Sequence, residues 1–224
     1  MFRDDFISRQ IQIFVQILAR ILGLSKSREF LDARALLEIT FREQLGTDIH
    51  TFLTTPDDQM VDFLTLGQRT TTALTRCGFA VALLQSAANL YREADKVEQS
   101  KPYFQKALSL LLEVELSVEE APELPEFVPT VEELLEDADL NQLTMDSRGA
   151  LVFYFEQVND YAAADNVLNT MLADQPDDPE TLALAVSFYE YLLDESDEQL
   201  DKGGLSREQV VATLERLRSS SKDS

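Results

Sequence analysis

His50 and Cys77 are the only histidine and cysteine in the chain, and chemistry that depends on either residue narrows accordingly. A Cys/His zinc site takes four N or S ligands and cannot be assembled from one of each. Nucleophilic catalysis would need Cys77 or a serine brought beside His50, and no G-x-S-x-G turn marks such a nucleophile. Cys77 lies in the apolar run TRCGFAVALL and reads as a small buried hydrophobe. Carboxylates are so numerous that pairs one helical turn apart, Glu132 with Glu136 or Glu119 with Glu123, arise by spacing alone. Without a D-x-D-x-D-G loop to wrap ligands round a cation they read as a solvated acidic face. Gly203-Gly204-Leu205-Ser206 opens a helix, yet no P-loop lysine follows, and a glycine turn before a serine cap explains the same letters. The residues therefore predict no catalytic, metal or cofactor site: the protein is expected not to be an enzyme.

Charge sets the class of partner. With 41 acidic against 19 basic residues the formal charge is -22, which repels phosphate backbones and anionic lipid headgroups; nucleic acid and membrane surfaces are not expected partners. A single cysteine allows no disulfide within the chain, which favours a reducing, cytoplasmic location. At the N-terminus, MFRDDF places acids ahead of an apolar run broken by Arg9, Gln10, Gln12, Gln16 and Arg20, so it reads as neither secretory leader nor membrane span. The 45% hydrophobic and 27% charged residues are those of an ordinary globular protein.

The elements that position these residues are helices throughout. Phe6, Ile7, Ile11, Phe14, Ile17, Leu18, Ile21 and Leu22 share one wide face of a helix over 4–23, which packs on a second over 28–45 ended by Gly46. His50 falls in a loop, and Thr55, Pro56 and Asp58 start a short helix over 56–65. A long helix over 69–94 precedes a break at 95–99 and a helix over 100–115. Pro122, Pro125 and Pro129 make 117–129 an ordered or semi-ordered insertion, and the capping pair Thr130 and Glu133 restarts a helix through Leu140. Asp178 and Pro179 open a helix through Leu193, Ser196 with Gln199 and Ser206 with Gln209 cap two more, the last running to Arg218, and 219–224 is expected to be a disordered tail. No stretch alternates as a strand does.

Residues 151–176, LVFYFEQVNDYAAADNVLNTMLADQP, organise the rest. Leu151 and Phe155 form one stripe, Tyr161, Ala164 and Leu168 another, Asn159 and Asp160 mark the break and Pro176 closes the unit. This spacing resembles the tetratricopeptide repeat, a 34-residue helix-turn-helix. A second copy over 81–114 has Leu84, Ala88 and Tyr91, then Ser100, Phe104 and Ala107. Degenerate copies have Ile17, Ile21, Phe30, Ala33 and Leu37, and Leu182, Tyr189, Val210, Leu214 and Leu217. Small residues at Ala88, Ala107 and Ala164 are expected where helices cross. The resemblance implies an all-α fold of stacked antiparallel hairpins, a right-handed array with insertions. It forms one domain over 1–218: a degenerate hairpin near 6–45, a repeat at 81–114, an acidic insertion at 115–144, a repeat at 145–178 and a C-terminal hairpin at 179–218.

In such repeats the first helix of each hairpin lines a concave groove. The residues off the packing stripes are Gln85, Asn89 and Arg92; Phe153, Glu156 and Gln157; and Ser187, Glu190 and Tyr191. Asn89 suits a peptide backbone, Phe153 and Tyr191 offer apolar contact, and the glutamates favour a basic segment. MFRDDFISRQIQIFVQILARILG at the start, FYEYLLDESDEQLDKGGLSREQVVATLERL at the end and the central hairpin together resemble an uncharacterised bacterial family of tetratricopeptide-like proteins. The resemblance implies a small cytoplasmic helical protein of a Gram-positive bacterium and carries over no functional residue. The leading expectation is a non-enzymatic adaptor or scaffold that binds a protein or peptide in the groove. The alternatives are self-association, as a homodimer through the N-terminal amphipathic helix, and a sensor of a small peptide or metabolite.

Overall fold

The run Ala80-Val81-Ala82-Leu83-Leu84 and the pair Ala87-Ala88 give one helix small side chains on several faces, and a helix apolar all round must be enclosed by others. The computed structural model describes residues 2–67, 70–117, 123–136 and 138–220. Every regular element among them is helical, with no strand. The chain divides into two compact units, residues 1–138 and 139–224. A single array over 1–218 is the expectation from sequence; the division falls inside the segment 115–144 read there as an insertion.

The first unit contains α1 (Phe2–Lys26), α2 (Phe30–Leu45), α3 (Ile49–Thr54), α4 (Asp57–Thr65), α5 (Thr70–Glu93), α6 (Val97–Leu116) and α7 (Val131–Leu135). The enclosed helix is α5, which packs along α6 and is flanked by α1, α2 and α4. Ala88 on α5 and Ala107 on α6 are buried, as the crossing role requires. Arg76 of α5 donates to the carbonyls of Leu64 at 3.1 Å and Leu45 at 3.2 Å, so one guanidinium satisfies the C-terminal ends of α4 and α2. Residues 123–130 run as a strap against α5. Phe127 stacks on Phe79 at 5.4 Å and Phe14 on Phe79 at 4.0 Å, while Val128 sits over Gly78, where an added Cβ would lie 2.6 Å from its Cγ2. This later part of the insertion is thus held by apolar contacts, with Glu123, Glu126, Glu132 and Glu133 outward. Lys106 is buried and its ammonium lies 2.6 Å from Asp57 and bonds the Thr55 carbonyl, tying the start of α4 to α6.

Several local expectations change. His50 sits on α3, a helix capped by Asp48, whose carboxylate accepts the Thr51 N–H at 3.0 Å. Thr55 ends α3 rather than capping α4: its hydroxyl donates to the Thr51 carbonyl at 2.8 Å. The break before α6 spans only 94–96, because Asp95 takes a left-handed conformation (φ 58°) and lets the Lys96 N–H reach the Tyr91 carbonyl. The following helix begins before Pro102 and runs through it. The Thr130–Glu133 capping box forms as expected, but α7 stops at Leu135. The side chain of Phe6, and residues 118–122 and 221–224, including most of the expected tail, lie outside the described residues.

The second unit holds a 3-10 turn at Leu140–Gln142, then α8 (Met145–Gln157), α9 (Tyr161–Asp174), α10 (Pro179–Asp194), α11 (Asp197–Lys202) and α12 (Arg207–Ser220). The last helix extends two residues beyond the expected Arg218. α8 packs on α9, and α10 on α12 and α9. Ala164 is buried with Tyr161, Leu168, Leu151 and Tyr189. Asn159 takes the left-handed conformation (φ 62°) and Asp160 caps α9, turning the chain in three residues. Buried Arg148 bonds Asp174 at 2.5 Å and the Asn141 carbonyl at 2.9 Å, fastening the 3-10 turn to α8 and α9. Asp178 caps α10 with Pro179 at its first position, as the spacing predicts, and capping boxes form at Ser196 and Ser206.

Candidate interaction surface

The nine residues expected off the packing stripes divide between the units. Gln85, Asn89 and Arg92 follow one another at helical spacing on α5, half-buried at the first two positions and exposed at the third. They form a polar stripe on a helix most of whose residues between Ala73 and Leu90 are buried. The other six lie in the second unit: Phe153, Glu156 and Gln157 on α8, and Ser187, Glu190 and Tyr191 on α10.

Phe153 is 51% exposed and Tyr191 39%. Their helices are neighbours, since a Cβ on Gly149 of α8 would touch Leu184 of α10 at 4.0 Å. Gly149, Phe153 and Glu156 share a face of α8 by their i, i+4, i+7 spacing. Buried Tyr161, at the start of α9, links this face to α10. Its hydroxyl donates to Asn159 Oδ1 at 2.9 Å and lies in hydrogen-bond contact with the Tyr191 hydroxyl, which also meets the Glu195 carboxylate. Glu156 and Glu195 both bear on the Tyr161 phenol. Burial raises both phenols above their ordinary values, and Tyr191 is raised further by its bond to Glu195. Glu156 is half-buried, and that burial alone lifts its carboxyl above the usual range. The seam therefore brings together one expected residue from each helix, Glu156 and Tyr191, and adds three that the periodicity did not single out. Tyr161 was read there only as packing, Asn159 only as a break, and Glu195 carries no local signal.

Glu190 is placed differently: its carboxylate accepts from Arg218 of α12 and so turns away from this seam. Ser187 is exposed one turn before Tyr191. In the first unit a cavity of about 280 Å³ opens between the ends of α1 and α5, lined by Ser25, Arg28, Phe30, Glu93 and Asp95. The Ser25 hydroxyl donates to Glu93 within it. Among the described residues no group of three or more His, Cys, Asp or Glu side chains is placed to hold a metal ion. Cys77 is buried, which pushes its thiol up to about 11. By length and composition Ile7–Lys26 is apolar enough to cross a membrane; within the fold its Phe14 and Ile21 are fully buried.

No curated protein and no solved structure matches the chain. A family profile does, over residues 1–222, a span that takes in the strap, the tyrosine seam and every helix described above. On that coverage the chain belongs to the family of unknown function DUF6483.

Proposed function

We propose that the protein is a non-enzymatic adaptor or scaffold that holds a protein or peptide segment on the α8–α10 face, a surface of tetratricopeptide-like antiparallel hairpins. The observation that carries this reading is Phe153, half exposed on a helix where Leu151, Val152 and Phe155 are buried, and on the same face of α8 as Glu156. An aromatic left open beside a satisfied polar seam is suited to a partner's apolar side chain. The buried alanines at 88, 107 and 164 support the hairpin reading within each unit, and Gln85, Asn89 and Arg92 are the corresponding stripe of the first unit. The reading includes a cytoplasmic location, for which a single buried cysteine speaks. The test is affinity capture from native lysate with the full chain and with Phe153→Glu. A stoichiometric partner retained by the first and lost by the second is expected; a partner that Phe153→Glu retains equally refutes the assignment of this face.

A second reading, self-association through α1, is favoured by Ile13 (50% exposed), Val15 and Leu22, which flank the buried Phe14 and Ile21. Light scattering that finds a monomer at high concentration removes it.

A further inference from the structure

We propose that the α8–α10 face recognises an extended basic segment by receiving one arginine or lysine head at Glu156, with Glu195 as the secondary counter-charge and Phe153 and Tyr191 against the side chain's methylene stem. This rests on the reading of that face as a partner surface and specifies what the surface selects.

Charge gives the first argument. Residues 139–224 hold eighteen acidic and six basic residues, and the described bases are committed elsewhere. Arg148 is buried on Asp174, Lys202 pairs with Glu198, Arg218 with Glu190, and Arg207 with Asp197 and the carbonyls that end α10. Arg216 has a partner of its own. None of these ion pairs among the described residues involves Glu156, which leaves its carboxylate open to a cation from outside the unit.

Geometry gives the second. Glu156 is half-buried, so part of its hydration is already lost, and an arriving cation meets a carboxylate screened less than a fully exposed one. Glu156 and Glu195, the latter just past the end of α10, both bear on the Tyr161 phenol at the start of α9, and Tyr191 of α10 meets Tyr161 and Glu195. Glu195 is the weaker counter-charge because Arg207 bonds its backbone carbonyl. Phe153 lies one turn before Glu156 on the same face, where an aromatic ring can cover an aliphatic stem or lie under a guanidinium. Glu190, spent on Arg218, takes no part. Burial already favours the neutral form of Glu156, a preference that a bound cation would reverse.

The experiment uses the full chain and an array of fluorescein-labelled eight-residue peptides, each with a central arginine among varied apolar residues. A matched array has citrulline, which keeps the shape and removes the charge. Fluorescence polarisation is expected to find arginine peptides that bind, with about tenfold weaker binding for their citrulline counterparts. Glu156→Gln should reproduce that loss at unchanged melting temperature, and Glu156→Lys should transfer preference to peptides with a central glutamate. Phe153→Glu should abolish binding altogether. Equal binding of arginine and citrulline peptides, or full binding by Glu156→Gln, overturns the recognition of a cation; if Phe153→Glu still abolishes binding, the partner surface itself stands. Failure of every peptide in both arrays to bind overturns both.

Discussion

At Gly78 the absent side chain is occupied space: Val128 reaches to 2.6 Å from where a Cβ would stand, and Pro125 and Phe127 follow at 3.7 and 3.8 Å. In an open helix, glycine to alanine stabilises by roughly 1 kcal/mol. Here overpacking opposes that gain and is expected to win, so Gly78→Ala should lower stability by ~1–2 kcal/mol in urea unfolding. Truncating the opposing residue removes the clash, so Val128→Ala should recover part of the loss in a double-mutant cycle. Additive effects of the two substitutions would deny the contact. Glycine in the run TRCGFAVALL carries no such message in sequence, because the residue that excludes its side chain lies fifty positions away. Separations of 28 and 68 positions likewise hid the pairing of Glu190 with Arg218 and of Ser25 with Glu93.

Helix starts were the most legible elements, and for a local reason: a cap and its N–H partners lie within four residues. Thr130, Asp178, Ser196 and Ser206 all act as their spacing predicts. Where two signals competed, structure followed the stronger cap. Asp48 claims a turn of helix around His50, leaving Thr55 as its end. Asp178 also carries a pH signature. Bonds from the Thr181 hydroxyl and N–H hold its carboxyl below the usual range, so its stabilisation is present above the unfolded value and is lost as pH falls through the folded one. Thermal melts from about pH 6 down to about pH 2 should therefore fall less steeply for Asp178→Asn, which keeps a capping oxygen without the titration. Parallel slopes for the two proteins would assign the acid sensitivity elsewhere. What spacing did not give was enclosure: the polar stripe Gln85, Asn89 and Arg92 reads as a groove wall on a wheel, while the packing of four helices round α5 leaves its first two positions half-buried.

Over the molecule as a whole, a formal charge of -22 makes self-repulsion a general term against the folded chain. Raising ionic strength from about 0.01 to about 0.15 M shortens the screening length from roughly 30 to roughly 8 Å. It should raise the melting temperature, while the less exposed Lys106–Asp57 contact is weakened far less. A melting temperature that falls with added sodium chloride would mean that ion pairs outweigh the net repulsion. All-helical architecture was legible at this scale because no stretch alternates like a strand and the buried alanines recur.

The stacking of Phe14, Phe79 and Phe127 also fixes an order of events during synthesis. Phe79, which completes the patch with Phe14, leaves the ribosome forty-eight residues ahead of Phe127, an interval of about 2 to 10 s at ~5–20 residues per second. Through that time the aromatic patch that the strap will cover stands open on the nascent chain. The first unit reaches its final form only when residues 123–136 emerge, so a transcript truncated before them would release a polypeptide with a sticky flank, a natural client for chaperones and proteases.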